Sequence, residues 1–278
     1  TRLAYKDDPA IALTEIVNES DPFTNKVILE PYRTRLEEIY RDWSDSHGLV
    51  VGTSPIDFTV PTPQLARFFV SLMQDHYREM IAHLREIGVR VPVNGTNWSQ
   101  TLGVAVAQAA TDFSDTHPYW NFPTWEHTDG TKTKPMVGES ANSFAWVAAM
   151  RLLDKPMFIS EWDDAWPDPW RAESPLAYAA VAAFQGWSGV VIHTYRYSTW
   201  RPEDRIGGGA QTINGIPYRN HFDSFNDPAK FGLFYHAALI LRRGDVHPAE
   251  QTIAVQIPPQ DEQLLRPGYG GLPALNIL

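Results

Sequence analysis

The feature that most limits the possible folds of this sequence is the alternation of short apolar runs with longer amphipathic segments. The apolar runs predict strands near residues 10–18, 91–96, 112–117, 156–161 and 189–194. Apolar residues at helical spacing predict helices over 31–45, 62–87, 102–110, 142–153, 174–184 and 228–242. Strands that alternate with helices favour βα units and a parallel sheet, because a parallel connection needs a long crossover.

Polar and aromatic residues cluster directly after each predicted strand. In a (β/α)8 barrel the loops that follow the strands build the active site, so the clustering favours that α/β fold. A doubly wound open sheet fits the periodicity as well. No glycine-rich phosphate-binding fingerprint follows the first strand, which disfavours a nucleotide-binding version of it.

Five predicted strands are fewer than the eight of a closed barrel, so the prediction is an incomplete (β/α)8 barrel over residues 1–245. After Arg243 the sequence becomes rich in proline and carries a β-like run at 252–257. Residues 246–278 are therefore predicted to begin a β-rich extension or domain.

Composition narrows the classes of partner. The net charge is −10 at pH 7, with acidic residues spread along the chain, which disfavours a nucleic-acid partner and an anionic membrane surface. The chain has no cysteine, which excludes disulfides and thiolate metal sites. No apolar run reaches the roughly 18 residues of a membrane helix. We expect no cofactor.

The sequence is rich in aromatic residues, with 10 Trp, 11 Tyr and 13 Phe. Many of them lie beside turn and polar residues, where flat rings can line a concave surface and stack on sugars. Trp98, Tyr195 and Trp200 are candidates for such stacking, with core packing as an equal alternative for each.

Two glutamates end two of the predicted strands: Glu19 follows "ALTEIVN" and Glu161 follows "PMFIS". If both strands belong to one barrel, both side chains lie at its C-terminal mouth, and a pair of carboxyl groups is what glycosidic bond cleavage requires. The alternative is that each carboxylate only caps a strand or forms a salt bridge.

Three other acidic residues are open to two interpretations. Glu15 lies deeper in the first strand and is better explained as a buried, paired structural carboxylate. Asp163 and Asp164 could bind sugar hydroxyls or simply solvate a loop.

The motifs "EIVNES" and "FISEW" together resemble the large clan of retaining glycoside hydrolases with a (β/α)8 barrel. "THPYW" is similar to the His-x-Tyr on strand six of its cellulase- and mannanase-like members, and the similarity covers about residues 5–245. The resemblance implies hydrolysis of β-glycosidic bonds in a polysaccharide or oligosaccharide by a secreted or periplasmic enzyme.

The same resemblance implies a role for each matching residue. Glu19 would be the acid/base and Glu161 the nucleophile, while Asn18 would bind the sugar 2-hydroxyl. His117 and Tyr119 would flank the carboxylates, with the Tyr119 hydroxyl orienting Glu161.

The Asn-Glu motif ends the fourth strand in that clan, so its place at residue 18 predicts that strands one to three are missing from this chain. A partial barrel would have open sheet edges, which a homo-oligomer could cover. The sequence leaves open whether this chain hydrolyses anything by itself, and the alternative function is a non-catalytic carbohydrate-binding or assembly module.

A third class, a metal-dependent barrel hydrolase, is disfavoured. His117, His127 and His193 are spaced as in no compact metal-binding motif, so no metal site is expected.

Overall fold

The computed structural model describes residues 3–24, 28–60, 62–98, 101–121, 133–139, 142–196 and 221–256. These residues form a mixed α/β protein whose strand pairs are parallel. The described residues divide into two compact units. The first comprises the described parts of Thr1–Asp115, Met150–Lys155 and Ala254–Ala274. The second comprises the described parts of Thr116–Ala149 and Pro156–Ile253.

The first unit begins with a 3-10 turn at Tyr5–Asp7. Its regular elements are β1 (Thr14–Val17), α1 (Tyr32–Ser46), α2 (Pro63–Glu86), β2 (Val93–Thr96), α3 (Leu102–Gln108) and β3 (Ser114–Asp115). The second unit contains β4 (Tyr119–Trp120), α4 (Ser143–Ala149), β5 (Met157–Asp164), α5 (Ser174–Gln185), β6 (Gly189–Ile192), α6 (Pro228–Phe231) and α7 (Phe234–Arg243).

The structure contains a strand at each of the five predicted places, and all except β5 are shorter than predicted. β5 instead continues to Asp164 through residues that were expected to form a loop. Tyr119 and Trp120 were also expected in a loop, but they form β4 because they pair with the extended end of β5.

The predicted helices are present with ends that differ by a few residues, except the last, which is divided. Asp227 caps α6 by accepting a hydrogen bond from the Ala229 amide at 3.1 Å, and the helix stops before Gly232. Glycine lowers helix stability in an interior position, which explains the break before α7 begins at Phe234.

The β-like run at 252–257 was predicted to start a β-rich extension. Its described part, 252–256, forms no strand, and the extension itself stays a prediction. Residues 251–256 form no strand, and all of them are exposed. A β-branched run becomes a strand only where another strand pairs with it. Residue 257 onwards lies outside the described residues.

The core of the first unit is built on α2. Thr62 caps its N-terminus by accepting a hydrogen bond from the Leu65 amide at 3.1 Å, and Pro63 occupies the first turn. Its buried face packs against Phe23, whose ring meets Phe69 edge-on with centroids 5.5 Å apart. Buried α2 residues are Leu65, Ala66, Phe68, Phe69, Val70, Met73 and Tyr77.

β1 and β2 form the parallel pair of this unit, with Glu15 opposite Asn94 and Val17 opposite Thr96. All four residues of β2 are buried. Gly95 lies directly against the ring of Tyr77, where an added Cβ would stand 2.3 Å from a ring carbon. The close approach of β2 to α2 therefore depends on the missing side chain.

The sheet of the second unit is organised around β5, which pairs in parallel with β4 and with β6. Tyr119 lies opposite Asp163, and Ile159 lies opposite Val190. Behind the sheet, Trp162 stacks on Tyr178 of α5 with centroids 4.7 Å apart, and α5 packs against α7. The carboxyl ends of three parallel strands thus meet at one edge.

In the part of the chain that the structure describes, no helix is long and apolar enough to cross a membrane.

Candidate active site

Glu161 lies on β5 near the carboxyl end of the sheet in the second unit. Its side chain is 22% exposed, so the carboxylate is held by the protein and still open to solvent on one side. Tyr119, His117 and His193 surround it, and each comes from a different strand end or the segment beside it.

The Tyr119 hydroxyl donates a hydrogen bond of 2.5 Å to Glu161 Oε2. The strand register explains this contact. Tyr119 is the partner of Asp163, and side chains two residues apart on a strand lie on the same face, so Tyr119 and Glu161 share a face. A charge-assisted hydrogen bond of this length fixes the orientation of the carboxylate.

His117 contacts both Glu161 and its neighbour on the strand. Its Nδ1 lies 3.4 Å from Glu161 Oε2, and its Nε2 forms a 2.8 Å hydrogen bond with the Ser160 hydroxyl. The imidazole is fully buried, so these two polar contacts hold it in one orientation. The predicted grouping of His117, Tyr119 and Glu161 is therefore present in the structure.

His193 was considered in the sequence only as a metal ligand, yet it lies beside the same carboxylate. Its Nδ1 is 3.5 Å from Glu161 Oε2. It directly follows β6, so the rule that selected Glu161, a polar residue at the end of a parallel strand, also applies to it. Phe222 closes this side, with its ring centroid 5.2 Å from His193 and 5.8 Å from Tyr119.

The end of β1 in the first unit carries Asn18 and Glu19, and both are exposed. Glu19 has a φ of 46°, in the left-handed region that non-glycine residues rarely adopt. Its amide donates a 2.7 Å hydrogen bond to Asn97 Oδ1, which helps to hold this backbone turn. Backbone in such a sparsely populated region is often found at functional sites.

Asn97 is the residue that organises this strand end, and sequence reasoning missed it. Besides accepting from the Glu19 amide, its Nδ2 donates to Glu15 Oε2 at 2.6 Å and to Asn18 Oδ1 at 3.0 Å. It directly follows β2, the partner of β1, so the strand-end rule could have found it.

Glu15 is paired, as expected for a structural carboxylate, since Asn97 and, at 3.4 Å, Asn94 both donate to it.

The three candidate stacking residues lie in different surroundings. Trp98 is half-buried in the first unit, and its indole Nε1 donates to Thr24 Oγ1 at 3.3 Å. Tyr195 in the second unit is 61% exposed. Trp200 and His127 lie outside the described residues.

Asp163 and Asp164 do not solvate a loop, because both are fully buried at the end of β5. Burial raises the pKa of Asp163 to about 7, although Lys230 Nζ donates to it at 2.7 Å. Burial, with the nearby Asp168 and Asp163 carboxyls, raises the pKa of Asp164 to about 9, so Asp164 is protonated at neutral pH.

A second ion pair lies close to these acids in the same unit. Arg171 Nε donates to Asp227 Oδ2 at 2.6 Å. Asp227 raises and Lys230 lowers the pKa of Asp163, so these charged groups lie close to one another at the end of the strand that bears Glu161, and Arg171 is only partly buried.

No protein-family model matches the chain, and no curated protein or solved structure is found to be similar to it.

Proposed function

We propose that this protein is a retaining β-glycoside hydrolase of the (β/α)8-barrel type, with Glu161 as nucleophile and Glu19 as acid/base. The observation that carries the proposal is the setting of Glu161, a partly exposed strand-end carboxylate that accepts a 2.5 Å hydrogen bond from Tyr119 and faces His117 and His193. The parallel strand pairs are compatible with an α/β barrel, and the assignment of these strands to an incomplete (β/α)8 barrel is part of the proposal.

A nucleophilic carboxylate must be ionised, oriented and within reach of a substrate. The Tyr119 hydroxyl donates to Oε2 and so orients the Glu161 carboxylate, and this bond does not use Oε1. The two imidazoles near Oε2 add polar contacts on the same side. These features support a role in attack more than a role in a structural ion pair, since no lysine or arginine within salt-bridge distance of Glu161 is found among the described residues.

Glu19 suits the second role through its exposure and its local backbone. The left-handed turn places its side chain beyond the strand end, and Asn97 anchors its amide. In the contact with Asn97, Asn97 is the donor and the Asn18 side-chain oxygen is the acceptor, so the contact does not use the Asn18 amide NH2. This is compatible with a role for the Asn18 amide as a donor to a sugar hydroxyl.

The proposed reaction has two steps. In the first, a Glu161 oxygen bonds to the anomeric carbon while the bond to the leaving oxygen breaks and Glu19 gives that oxygen a proton. In the second, Glu19 takes a proton from water, the water oxygen bonds to the anomeric carbon, and Glu161 leaves as a carboxylate. The anomeric configuration is retained, and the chemistry requires the two carboxyl groups to be about 5–5.5 Å apart.

The first test is turnover on a panel of aryl β-glycosides and of β-glucan, mannan and galactan. We expect product from at least one substrate, and Glu161→Gln, which keeps the size of the side chain, should abolish it. Glu173→Gln is a matched control, because Glu173 is in the same unit and bonds only to the Met136 and Val137 amides in the described contacts. Binding to a glycan without any product would overturn the proposal in favour of a non-catalytic binding module.

A further inference from the structure

An exposed pair of aromatic rings lies next to the Glu161 pocket in the second unit. Tyr195 is 61% exposed and Phe231 is 47% exposed, and their ring centroids are 6.0 Å apart. We call these two residues the aromatic shelf. Large exposed apolar groups that lie together mark a binding surface more often than those that occur singly.

The shelf is supported from below and is therefore preformed. Phe225 packs against Tyr195 with centroids 6.1 Å apart, and the Arg196 guanidinium lies 4.9 Å from the Phe225 ring centroid. The backbone is fixed as well, because the Phe225 amide donates to the Tyr195 carbonyl at 3.0 Å. A preformed surface loses little conformational entropy when it binds a ligand.

The shelf continues the wall of the carboxylate pocket. Tyr195 follows His193 by two residues, and the Thr194 amide donates to the carbonyl of Phe222, the ring that closes the pocket, at 3.1 Å. Phe231 belongs to α6, and the preceding residue of this helix, Lys230, donates to Asp163 at the carboxyl end of β5. A chain-like ligand that leaves the pocket on this side would meet these rings next.

The chemistry of the shelf selects a neutral, ring-shaped ligand. The nearby acids Asp223 and Asp227 are fully buried. Of the nearby cations, Lys230 is buried and paired with Asp163, and Arg196 stacks on Phe225. A nucleic acid would require exposed positive charge, whereas the protein has a net charge of −10. Pyranose rings present apolar C–H faces that stack on aromatic side chains.

We propose that Tyr195 and Phe231 form a stacking subsite for additional sugar units of a neutral β-linked glycan, so that the substrate is a polymer bound along the surface. This inference rests on the proposed hydrolase function for the position of the cleaved bond. The subsite itself depends only on the geometry of the shelf.

The test compares a polymer with a short substrate. The kcat/KM is measured for Tyr195→Ala and Phe231→Ala on the best polysaccharide of the panel and on an aryl β-monoglycoside. An aromatic contact contributes about 0.5–1.5 kcal/mol, so the ratio of the polymer rate to the aryl rate should fall roughly twofold to tenfold in each variant. Tyr195→Phe, which keeps the ring, should restore most of the ratio.

Phe184→Ala is the matched control. Phe184 is 44% exposed, but it lies in the last turn of α5, at the opposite end of the sheet from Glu161. Its removal should leave the ratio unchanged. An unchanged ratio in both shelf variants, or an equal fall in Phe184→Ala, would overturn the proposal.

A second measurement separates this inference from the proposed function. Affinity electrophoresis through a gel that contains the polysaccharide, carried out on the Glu161→Gln background, detects binding without turnover. If the wild type shows no turnover but Tyr195→Ala removes the retardation, the subsite stands and the hydrolase proposal fails. If neither the background protein nor its shelf variants are retarded, the subsite is refuted whatever the turnover.

Discussion

At the scale of single residues, the sequence predicted that Tyr119 lies beside Glu161, but it missed two other residues that lie next to the candidate carboxylates. Glu161 and Tyr119 were chosen from their place at strand ends, and they form a hydrogen bond in the structure. Asn97 and His193 were not chosen for these roles, although both directly follow strands. The reason is physical, since a contact such as that between Asn97 and the Glu19 amide joins residues 78 positions apart and depends on strand pairing.

The Tyr119 hydroxyl gives the first residue-scale prediction. In Tyr119→Phe the ring remains and the hydrogen bond to Glu161 is lost. A hydrogen bond to a charged group contributes about 1.5–3 kcal/mol, so kcat/KM on the best aryl β-glycoside should fall roughly ten- to a hundredfold. The control is Tyr235→Phe, because Tyr235 is 70% exposed on α7. Equal rates in wild type and Tyr119→Phe would contradict the positioning role.

The acid/base role of Glu19 gives a second prediction at this scale. In Glu19→Ala the second step lacks its base, so turnover of an aryl β-glycoside with a good leaving group should fall. Azide needs no base and should restore part of the rate, with a β-glycosyl azide as the product. The rate with increasing azide and the product's configuration are both measured. The control is Glu30→Ala, because Glu30 is exposed and accepts a hydrogen bond from the Thr34 hydroxyl. Glu15→Ala is a poorer control, because Glu15 accepts a hydrogen bond from Asn97. Full activity of Glu19→Ala without azide would contradict the assignment.

At the scale of elements, the pattern of the sequence identified which helices and strands exist, whereas pairing decided where they end. Tyr119 and Trp120 became a strand only because β5 runs on to Asp164 beside them. The run at 252–256 has similar strand propensity but is exposed and forms no strand. The predicted helix over 228–242 is divided at Gly232. Asp227 caps the short helix α6, which ends before this glycine.

The packing of β2 on α2 gives an element-scale prediction. Gly95→Ala would place a Cβ 2.3 Å from the Tyr77 ring, and that ring cannot move away because the side chain is 2% exposed. We expect the free energy of unfolding to fall by about 1–3 kcal/mol. Urea unfolding followed by circular dichroism measures it.

Gly52→Ala is the matched control for this prediction, because nothing lies within 4 Å of a Cβ at that position. Its free energy of unfolding should change by no more than about 0.5 kcal/mol. A similar loss in both variants would show that the close contact with Tyr77 does not limit position 95.

At the scale of the whole molecule, the buried acids of the second unit make stability depend on pH. The pKa of Asp164 is about 9 and that of Asp163 about 7, each raised chiefly by burial from an ordinary value of 3.8. Between the ordinary and the raised values the folded protein holds protons that the unfolded chain has released. Stability is therefore greatest at the acid end of this range and falls as the pH rises through it.

Asp164→Asn tests this dependence, since the amide is neutral at every pH and has almost the same size. When the folded state holds one proton that the unfolded state has released, the free energy of unfolding falls by about 1.4 kcal/mol for each unit by which the pH rises. The slope of stability against pH between 5 and 8 should be shallower by about that amount in the variant. Urea unfolding across this range measures the slope, and equal slopes in wild type and variant would show that Asp164 does not titrate as described.

The composition predicted an acidic globular protein, and the alternation of strands and helices predicted an α/β fold, but neither specified the surfaces. The count of aromatic residues could not separate Trp98, half-buried and bonded to Thr24, from Tyr195, which is exposed on the aromatic shelf. The full burial of Asp163 and Asp164 was also not predictable, because Lys230, the hydrogen-bond partner of Asp163, is 67 positions away from it in the sequence.

The most direct test of the central claim is covalent trapping of the nucleophile. A 2-deoxy-2-fluoro β-glycoside with a good leaving group reacts in the first step of a retaining mechanism, and the fluorine slows the second step, so the glycosyl-enzyme accumulates. We predict one added fluorosugar per chain, located by peptide mass spectrometry on Glu161, with loss of labelling in Glu161→Gln. Turnover of the parent glycoside together with a label on another residue, or with no label at all, would contradict the account.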